Sequence, residues 1–496
     1  MSSKSRFSGP RAVTRRRAIT GAASLSALGL FGCAEGGEAA GSSLLAAEGQ
    51  KPRVAILGGG AGGLAAAYFL DGACEVSIFE SRDKVGGHCD SHTVQYGGEA
   101  VTVDLGAQFF HPATHPIYTT LLEELGLYDP DAPDSDQTLE APGSVTIFPT
   151  TGGYPFGSGW PRFCSTQPLL TPFRAIDFAI YSQAARQAVL GNMSWETRLD
   201  DWINGLSVSR DFKDKLLFPW ISALIGTTRA NAVRSSARSI LQTFALAFPA
   251  DILAGASTFN SKIGLGGNLD RLLARASGVL TEVGVAVQSL SYAAGLWTVH
   301  TATGARGPFD AVVVNAPPHT SRSFLSGLGW ANDLIDLLGR YEYFDSKISI
   351  HTDAAYIHRD KTFRTVYNAG IDAASECEGS VWLGGIHDKL ASGKTVDIYK
   401  SWTQMRSGPT SLLLERNFRH PLITTDVVRA TRSLQPLQGR NGLFFAGQHT
   451  TGFDLQEAAV WSAMQVARAL APSSESLAAL DARLVARGRT GISYAL

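Results

Sequence analysis

The chain has 496 residues, of which 44% are hydrophobic, so it is long enough to bury a large core and to form two or more domains. Its formal net charge of −1 gives no support to nucleic-acid binding. The five cysteines show no CxxC or zinc-type spacing, so the sequence predicts no metal site; they are Cys33, Cys74, Cys89, Cys164 and Cys377.

The amino-terminal region predicts an export signal over residues 1–33. Basic residues precede an apolar run from Ala18 to Phe31, which is too short for an ordinary transmembrane helix. Thr14-Arg15-Arg16-Arg17 resembles a twin-arginine signal, although Ala18 stands where phenylalanine is usual. Such signals export folded proteins, so we expect free buried thiols rather than disulfides in the mature protein.

The end of this signal resembles a bacterial lipoprotein cleavage site, Leu30-Phe31-Gly32-Cys33. Two alternatives remain open: acylation of Cys33, which would anchor the protein to the membrane, and simple release. In either case we expect a location outside the cytoplasmic membrane, periplasmic or anchored to its outer side. Residues 34–50 are rich in Gly, Ala and Ser and are predicted to form a flexible linker.

A glycine-rich turn follows the linker and predicts a dinucleotide-binding unit. The run Val54 to Leu57 is typical of a buried strand, Gly58 to Gly63 of the turn, and Leu64 to Leu70 of a helix. The turn glycines permit a sharp bend, close approach of a pyrophosphate and tight packing of helix on strand. Glu80 follows Gly58 by 22 residues, near the roughly 20 expected for an acid that binds a ribose hydroxyl.

The residues after Glu80 indicate which dinucleotide binds. Ser81, Arg82 and then Gly86-Gly87-His88 resemble the acid and double-glycine extension of the amine oxidase, protoporphyrinogen oxidase and phytoene desaturase superfamily of FAD proteins. The resemblance implies dissociable FAD and an α/β fold, with a discontinuous Rossmann-type FAD-binding domain and an α+β substrate or cap domain. His88 stands where this superfamily commonly has arginine.

The carboxyl-terminal part carries a second match to this superfamily. Asn441 to Gln448 is a strand-like run ending in a glycine, and a helical pattern begins at Gln456. The superfamily usually has a carboxylate where Gln448 stands, and an amide there can still form hydrogen bonds. The resemblance implies that the backbone near Gln456 and Glu457 faces the flavin pyrimidine edge.

Intervening segments fit the same resemblance. Asp104 to Phe110 is similar to the strand beside the flavin ring, and Gly266 to Leu269 is expected to begin a helix. Val285 to Leu290 resembles the strand whose backbone near Val287 borders the adenine. Asp310 to Pro317 is typical of a buried parallel strand returning to the Rossmann sheet.

These motifs together give a predicted domain map and a set of cofactor contacts. The FAD-binding domain is assigned to residues 51–112, 263–321 and 416–475, the substrate domain to 113–262 and 322–415, and a C-terminal tail to 476–496. The predicted FAD contacts are Gly58, Gly60, Ala61, Gly62, Gly63, Glu80, Ser81, Arg82, Gly86, Gly87, His88, Gly106, Ala107, Gln108, Val287, Gly447, Gln448, Gln456 and Glu457.

Three residues are candidates for the chemistry. Tyr343 to Asp353 alternates polar and apolar residues, so Lys347 and His351 share one face of a predicted strand. In amine oxidases a lysine on a comparable strand holds a water near flavin N5, and Lys347 is the candidate here; the alternative is a solvated lysine. His351 and His449 are candidates for moving a proton.

Two aromatic-rich segments, Ser194 to Trp202 and Leu217 to Ala223, are predicted to be helical, and the resemblance makes them a cap over the flavin. Their aromatic side chains form either an apolar tunnel or ordinary core. The expected function is hydride transfer from a small apolar or amine-bearing substrate to flavin N5, with oxygen or another electron acceptor. A desaturase or isomerase acting on a lipid or isoprenoid and a non-catalytic FAD-fold lipoprotein are the alternatives.

Overall fold

The structure is a computed structural model and describes residues 50–150, 160–173, 175–251 and 254–496. The predicted signal at 1–33 and nearly all of the linker therefore lie outside the described residues. The described strands are β1 (Arg53–Leu57), β2 (Glu75–Phe79), β3 (Ser91–Tyr96), β4 (Glu99–Asp104), β5 (Thr138–Pro142), β6 (Val145–Pro149), β7 (Phe163–Cys164), β8 (Ser257–Ser261), β9 (Leu280–Glu282), β10 (Val287–Ala293), β11 (Leu296–Thr301), β12 (Gly304–Phe309), β13 (Ala311–Val314), β14 (Glu342–His351), β15 (Tyr367–Ile371), β16 (Cys377–Trp382), β17 (Tyr399–Trp402), β18 (Leu412–Leu422) and β19 (Leu443–Phe445).

The described α-helices are α1 (Ala61–Leu70), α2 (Pro116–Glu124), α3 (Ala175–Leu190), α4 (Leu199–Asn204), α5 (Arg210–Phe212), α6 (Phe218–Ile225), α7 (Arg229–Arg234), α8 (Ala237–Phe244), α9 (Gly264–Arg275), α10 (Pro318–Leu325), α11 (Asn332–Leu338), α12 (Thr425–Leu434), α13 (Gln456–Leu470) and α14 (Glu475–Ala486). A π-helical turn, Lys213–Leu217, joins α5 to α6.

A five-stranded parallel sheet has the order β19-β13-β1-β2-β9. Its register pairs Val54 with Val76 on one side and with Ala311 on the other. β1 and β13 are apolar along nearly their whole length because helices or strands cover both faces of the sheet. All five strands come from the segments 51–112, 263–321 and 416–475, which are far apart in sequence.

Helices pack on both faces of this sheet. α1 is almost wholly buried and packs mainly against α13 and α9. On the opposite face, α10, α11 and α12 enclose a cluster with β10 and β11 that contains Trp297, Leu325 and Leu434. The side chain of Thr424 accepts a hydrogen bond from the N–H of Val427 at 3.3 Å and so caps the start of α12.

A second, seven-stranded sheet has the order β18-β14-β17-β16-β15-β6-β7 and is antiparallel except between β15 and β6. Helices α3 to α8 form an aromatic-rich cluster against one end of this sheet. The mixed α/β architecture has the parallel nucleotide-binding sheet and the α+β part that the sequence predicts.

Several elements of the structure lie across or beside the boundaries of the predicted domain map. A boundary at 416 cuts β18, which is one continuous strand of the second sheet. In the predicted C-terminal tail at 476–496, α14 packs against α1 and α2, and Tyr494 is buried. α2, assigned to the substrate domain, packs against α13 and α14 instead.

The structure also bears on the predicted strand at Asp104–Phe110 and on the predicted state of the cysteines. Only the beginning of the Asp104–Phe110 segment is strand, because β4 ends at Asp104 and the chain then turns through Gly106. Cys74, Cys89, Cys164 and Cys377 are free and buried, as expected. Within the described ranges, no helix combines the length and apolar character needed to cross a membrane.

Candidate functional site

Three glycine-bearing motifs meet at the amino terminus of α1. Gly60 forms a β-bridge with Gly86, and a Cβ atom on Gly87 would lie 3.0 Å from the Cα of Gly60. A Cβ atom on Gly62 would lie 2.9 Å from the backbone nitrogen of Gly447. Segments separated by hundreds of residues therefore touch through bare backbone, and side chains there would push them apart.

The turn between β1 and α1 is held by hydrogen bonds to its neighbours. Gly58 has a φ of 107°, which favours glycine, and its N–H donates to the carbonyl of Phe79 at 2.9 Å. Asn315, just beyond β13, donates from Nδ2 to the carbonyl of Gly58 at 3.0 Å. Sequence analysis did not identify Asn315, although a polar residue at the carboxyl end of a central parallel strand is a signal of this kind of site.

Glu80 is buried at the end of β2 and shapes the same turn. Its carboxylate accepts hydrogen bonds from the N–H of Gly59 and the N–H of Arg82, both at 2.8 Å. The guanidinium of Arg82 in turn donates to the carbonyl of Gly87 at 2.9 Å. The acid predicted to bind a ribose therefore also joins the glycine turn to the double-glycine extension.

A cavity of about 1620 Å³ begins at this turn and extends between the two sheets. Ligand pockets are typically about 300–1,000 Å³, so this one has room for an elongated dinucleotide together with a substrate. Most of the predicted cofactor contacts line it: Gly58, Gly60, Ala61, Gly62, Glu80, Ser81, Arg82, Gly86, Gly87, His88, Gly106, Ala107, Gln108, Val287, Gly447, Gln448 and Gln456.

Two predicted contacts lie elsewhere. Gly63 packs against the carbonyl of Gly58 and the side chain of Ile56, so it serves the close packing of helix on strand. Glu457 is fully buried and accepts hydrogen bonds from the N–H of Ile117 at 3.1 Å and of Tyr118 at 2.7 Å. The hydroxyl of Tyr494 donates to it as well, at 2.8 Å. Burial raises the pKa of Glu457 to about 7, although these three hydrogen bonds each act to lower it.

The residues present fit FAD. Bare glycine backbone and the unpaired N–H groups at the start of α1 suit a pyrophosphate, and Glu80 is placed for a ribose hydroxyl. Gly106 lies so close to the carbonyl of His88 that no larger residue fits there. Gln108 and Gln448 each have a buried side-chain oxygen without a partner in the protein.

The three predicted catalytic side chains do not come together. Lys347 does not line the cavity: its side chain is about a third exposed and pairs with Glu415 at 3.3 Å. His351 is buried away from the cavity, bonded to the hydroxyl of Ser401 at 2.9 Å, and burial lowers its pKa to about 3. His449 lines the cavity, and burial lowers its pKa to about 4.

The structure instead places Lys400 in the cavity wall, on strand β17 next to β14. Its ammonium donates a hydrogen bond to the carbonyl of Gly106. Burial lowers the pKa of Lys400 to about 8, and the nearby carboxyl of Asp104 opposes that shift. Sequence analysis missed this residue, although a lone lysine between Ile398, Tyr399 and Trp402 is a signal of a buried cation.

His88 lines the cavity, and its side chain is exposed to that open space. Its ring stacks on His420, with centroids 5.3 Å apart, and lies the same distance from the ring of Phe418. Burial, together with the neighbouring His420, lowers the pKa of His88. His88 is therefore a neutral aromatic contact at physiological pH rather than a cation.

The half of the cavity formed by residues 142–258, here called the cap half, is apolar and aromatic. Phe178 stacks on Phe163 at 4.6 Å between ring centroids and lies 5.2 Å from the ring of Trp220. Phe244 and Phe248 extend the same wall. No Asp, Glu, Lys, Arg or His side chain of the described residues lines this half.

Comparison with known proteins agrees with this architecture. The family described as flavin containing amine oxidoreductase matches residues 61–348, more than half of the chain. Tryptophan 2-monooxygenase of Allorhizobium ampelinum is 39% identical over 82 residues, which are 16% of this chain and 11% of that protein. The chain thus matches only about a tenth of that relative's length.

Three solved structures share the fold at low identity. A putative protoporphyrinogen oxidase from Exiguobacterium sp. 255-15 has a TM-score of 0.53 at 14% identity, covering 84% of this chain and 98% of its own. A fatty acid isomerase from P. acnes, described as producing CLA, has a TM-score of 0.58 at 15% identity. The match covers 84% of this chain and 98% of the isomerase. A redesigned putrescine oxidase has a TM-score of 0.54 at 14% identity. The match covers 85% of this chain and 99% of the putrescine oxidase. The chain belongs to the flavin containing amine oxidoreductase family and is an FAD-dependent oxidoreductase.

Proposed function

We propose that this enzyme removes a hydride from a C–H bond of an uncharged, apolar substrate bound in the cap half of the cavity. The observation that carries the proposal is the aromatic wall, to which the described residues contribute no charged side chain. Bound FAD supplies the hydride acceptor, at N5 of its ring. The protein supplies a water-poor cavity and an orientation for the substrate.

The charge of the cap half argues against a cationic substrate. Burying an unpaired ammonium or carboxylate costs several kcal/mol, and the described residues of this wall provide no charged side chain as a counter-ion. The polar groups available there are hydroxyls such as those of Ser182, Ser239 and Thr243, which suit a neutral hydrogen-bonding group. An amine-bearing substrate would therefore bind here as the free base.

Lys400 is our candidate for holding a proton beside the reacting bond. We choose it over Lys347, the sequence candidate for holding a water near flavin N5, because Lys400 lines the cavity and Lys347 does not. A pKa of about 8 leaves a fraction of Lys400 neutral near physiological pH, so its amine can accept a proton and return it. His449, also in the wall, remains a second candidate for this role.

The experiment is an anaerobic titration of the purified flavoprotein with compound classes, followed by the visible flavin absorbance. We expect bleaching by neutral apolar compounds and none by diamines at neutral pH. Ala179→Asp places a charge in the cap half and should abolish bleaching without loss of bound FAD, whereas Gln187→Asp, on the exposed side of α3, should not. Bleaching by cationic amines alone would contradict the proposal.

A second candidate is a redox-neutral double-bond isomerase or a desaturase acting on a lipid or isoprenoid. The same apolar wall favours it, and a fatty acid isomerase is among the proteins that share the fold. Aerobic turnover separates the candidates, because an oxidase releases hydrogen peroxide whereas an isomerase consumes no electron acceptor.

We also propose that the protein is exported and anchored through acylated Cys33. The basic residues, the short apolar run and the position of the cysteine in the sequence support this proposal. Cell fractionation of the native host tests it: Cys33→Ser should move the protein from the membrane to the periplasmic fraction. An unchanged distribution would contradict the acylation.

A further inference from the structure

Exposed apolar side chains are concentrated beside the cap half of the cavity. The set Trp160, Leu169, Leu170, Ile176 and Ile180 is here called the apolar patch. It holds five of the twelve large hydrophobic side chains that are exposed in the described part of the chain. Leu169 is 95% exposed, Trp160 60% and Ile176 57%. Such concentration marks a surface that meets another apolar phase.

Local contacts hold the patch together. The indole N–H of Trp160 donates to the carbonyl of Leu170 at 2.8 Å. The N–H of Phe173 donates to the carbonyl of Arg162 at 3.2 Å, which closes the turn carrying both leucines. Ile176 and Ile180 lie four residues apart on α3 and therefore share one face of that helix.

The patch continues into the cavity. Pro168, Ala175 and Ala179 each precede a patch residue in sequence, and all three line the cavity. The lining that follows them inward is the uncharged aromatic wall of the cap half. The described residues of the cap half contribute no charged side chain to the cavity lining.

We propose that the apolar patch inserts into the surface of a lipid bilayer and that substrate enters the cap half from the bilayer. The insertion of the patch is argued from the exposed side chains alone, whereas the entry of substrate from the bilayer rests on the proposed function. The sequence supports a bilayer as the occupant because Cys33, an acylation candidate, precedes the described chain by a short linker.

Vesicle flotation tests the docking surface. The full chain carries Cys33→Ser throughout, so no acyl chain contributes, and the vesicles contain phosphatidylcholine and phosphatidylglycerol. Leu169→Glu and Ile176→Glu, made separately, should each lower the vesicle-bound fraction about tenfold, because each removes one inserted side chain. Val485→Glu, at a 64% exposed position on α14, should bind as the parent does.

Flavin absorbance of each variant confirms its fold before flotation. The proposal is overturned if the parent does not float, or if the patch variants float as well as Val485→Glu, because the amino-terminal apolar run would then account for binding. It is also overturned if the variants only convert a dimer into a monomer on size exclusion, since the occupant is then a second copy. Flotation measures vesicle binding and needs no substrate. It therefore still tests membrane docking if the proposed function proves wrong.

Discussion

Lys400 combines deep burial with a single backbone acceptor, and its ionisation should therefore be visible in the stability of the protein. Its pKa falls from 10.5 to about 8 on folding, so between these pH values the unfolded chain binds a proton that the folded chain releases. Stability must rise with pH across that window, by about 1 kcal/mol per pH unit. We expect Lys400→Met to abolish this rise in chemical denaturation curves.

Lys347→Met is the matched control for that experiment, because Lys347 lies on the neighbouring strand but pairs with Glu415 near the surface. Exposed pairs contribute only about 0–1 kcal/mol, so its curve should keep the parent's dependence on pH. If both lysine variants behave alike, Lys400 does not titrate as its burial implies.

Gly62 lies where the first and last cofactor motifs touch. A Cβ atom there would lie 2.6 Å from Oδ1 of Asn315 and 2.9 Å from the nitrogen of Gly447, so Gly62→Ala must separate the two motifs. We expect affinity for FAD, measured by fluorescence titration of the apoprotein, to fall at least about tenfold, because such packing errors cost about 1–3 kcal/mol. Gly327→Ala, which meets open space, should leave the affinity unchanged.

At the scale of single residues, the sequence predicts the roles of the turn glycines better than it predicts which side chains line the cavity. Gly58, Gly60 and Gly62 have roles that their spacing reveals, because the turn itself needs them. The family resemblance points to a lysine on this strand, and the period-two pattern shows which residues share a face with Lys347. The pattern does not show which face meets the cavity. Ile348 lines the cavity, so the lysine beside it points elsewhere.

At the scale of elements, α14 closes the packing around α1 and α2. Its apolar positions Leu477, Leu480 and Leu484 are buried, and Ser474 caps it by accepting from the N–H of Leu477 at 3.2 Å. Leu480→Ala should lower the free energy of unfolding by about 2–5 kcal/mol, as other buried leucines do. Urea denaturation measures this effect, and Val485→Ala, exposed on the same helix, should change it by less than about 0.5 kcal/mol.

Element types were predictable where the hydrophobic pattern was strong, as for β1, β13, α1 and α13. The role of α14 was not, because its three leucines show only that one face is apolar. What covers that face is α2, an element far away in sequence. Element boundaries such as the one at 416 depend on the register of β18 with β14, which single-sequence patterns do not contain.

At the scale of the whole molecule, the cofactor cavity is walled by residues from both sheets, so FAD should stabilise the entire fold. Ligand at a hundredfold excess over its Kd adds about 2.7 kcal/mol to the free energy of unfolding. Thermal unfolding of the apoprotein should therefore shift upward as FAD is added. Gly62→Ala, whose affinity is about tenfold lower, should show at most about half of that stabilisation at the same concentrations. A parent that shows no shift would contradict the cofactor assignment.

Discontinuity of the nucleotide-binding sheet also dictates when the site can form during biosynthesis. The ribosome synthesises Gly58 to Gly63 early, whereas Gly447, which completes the cradle, and Tyr494, which binds Glu457, follow only after several hundred further residues. Flavin loading must therefore wait until both of these later segments have left the ribosome. A domain fused directly after Tyr494 would crowd the buried position of that side chain and should therefore slow the loading of flavin.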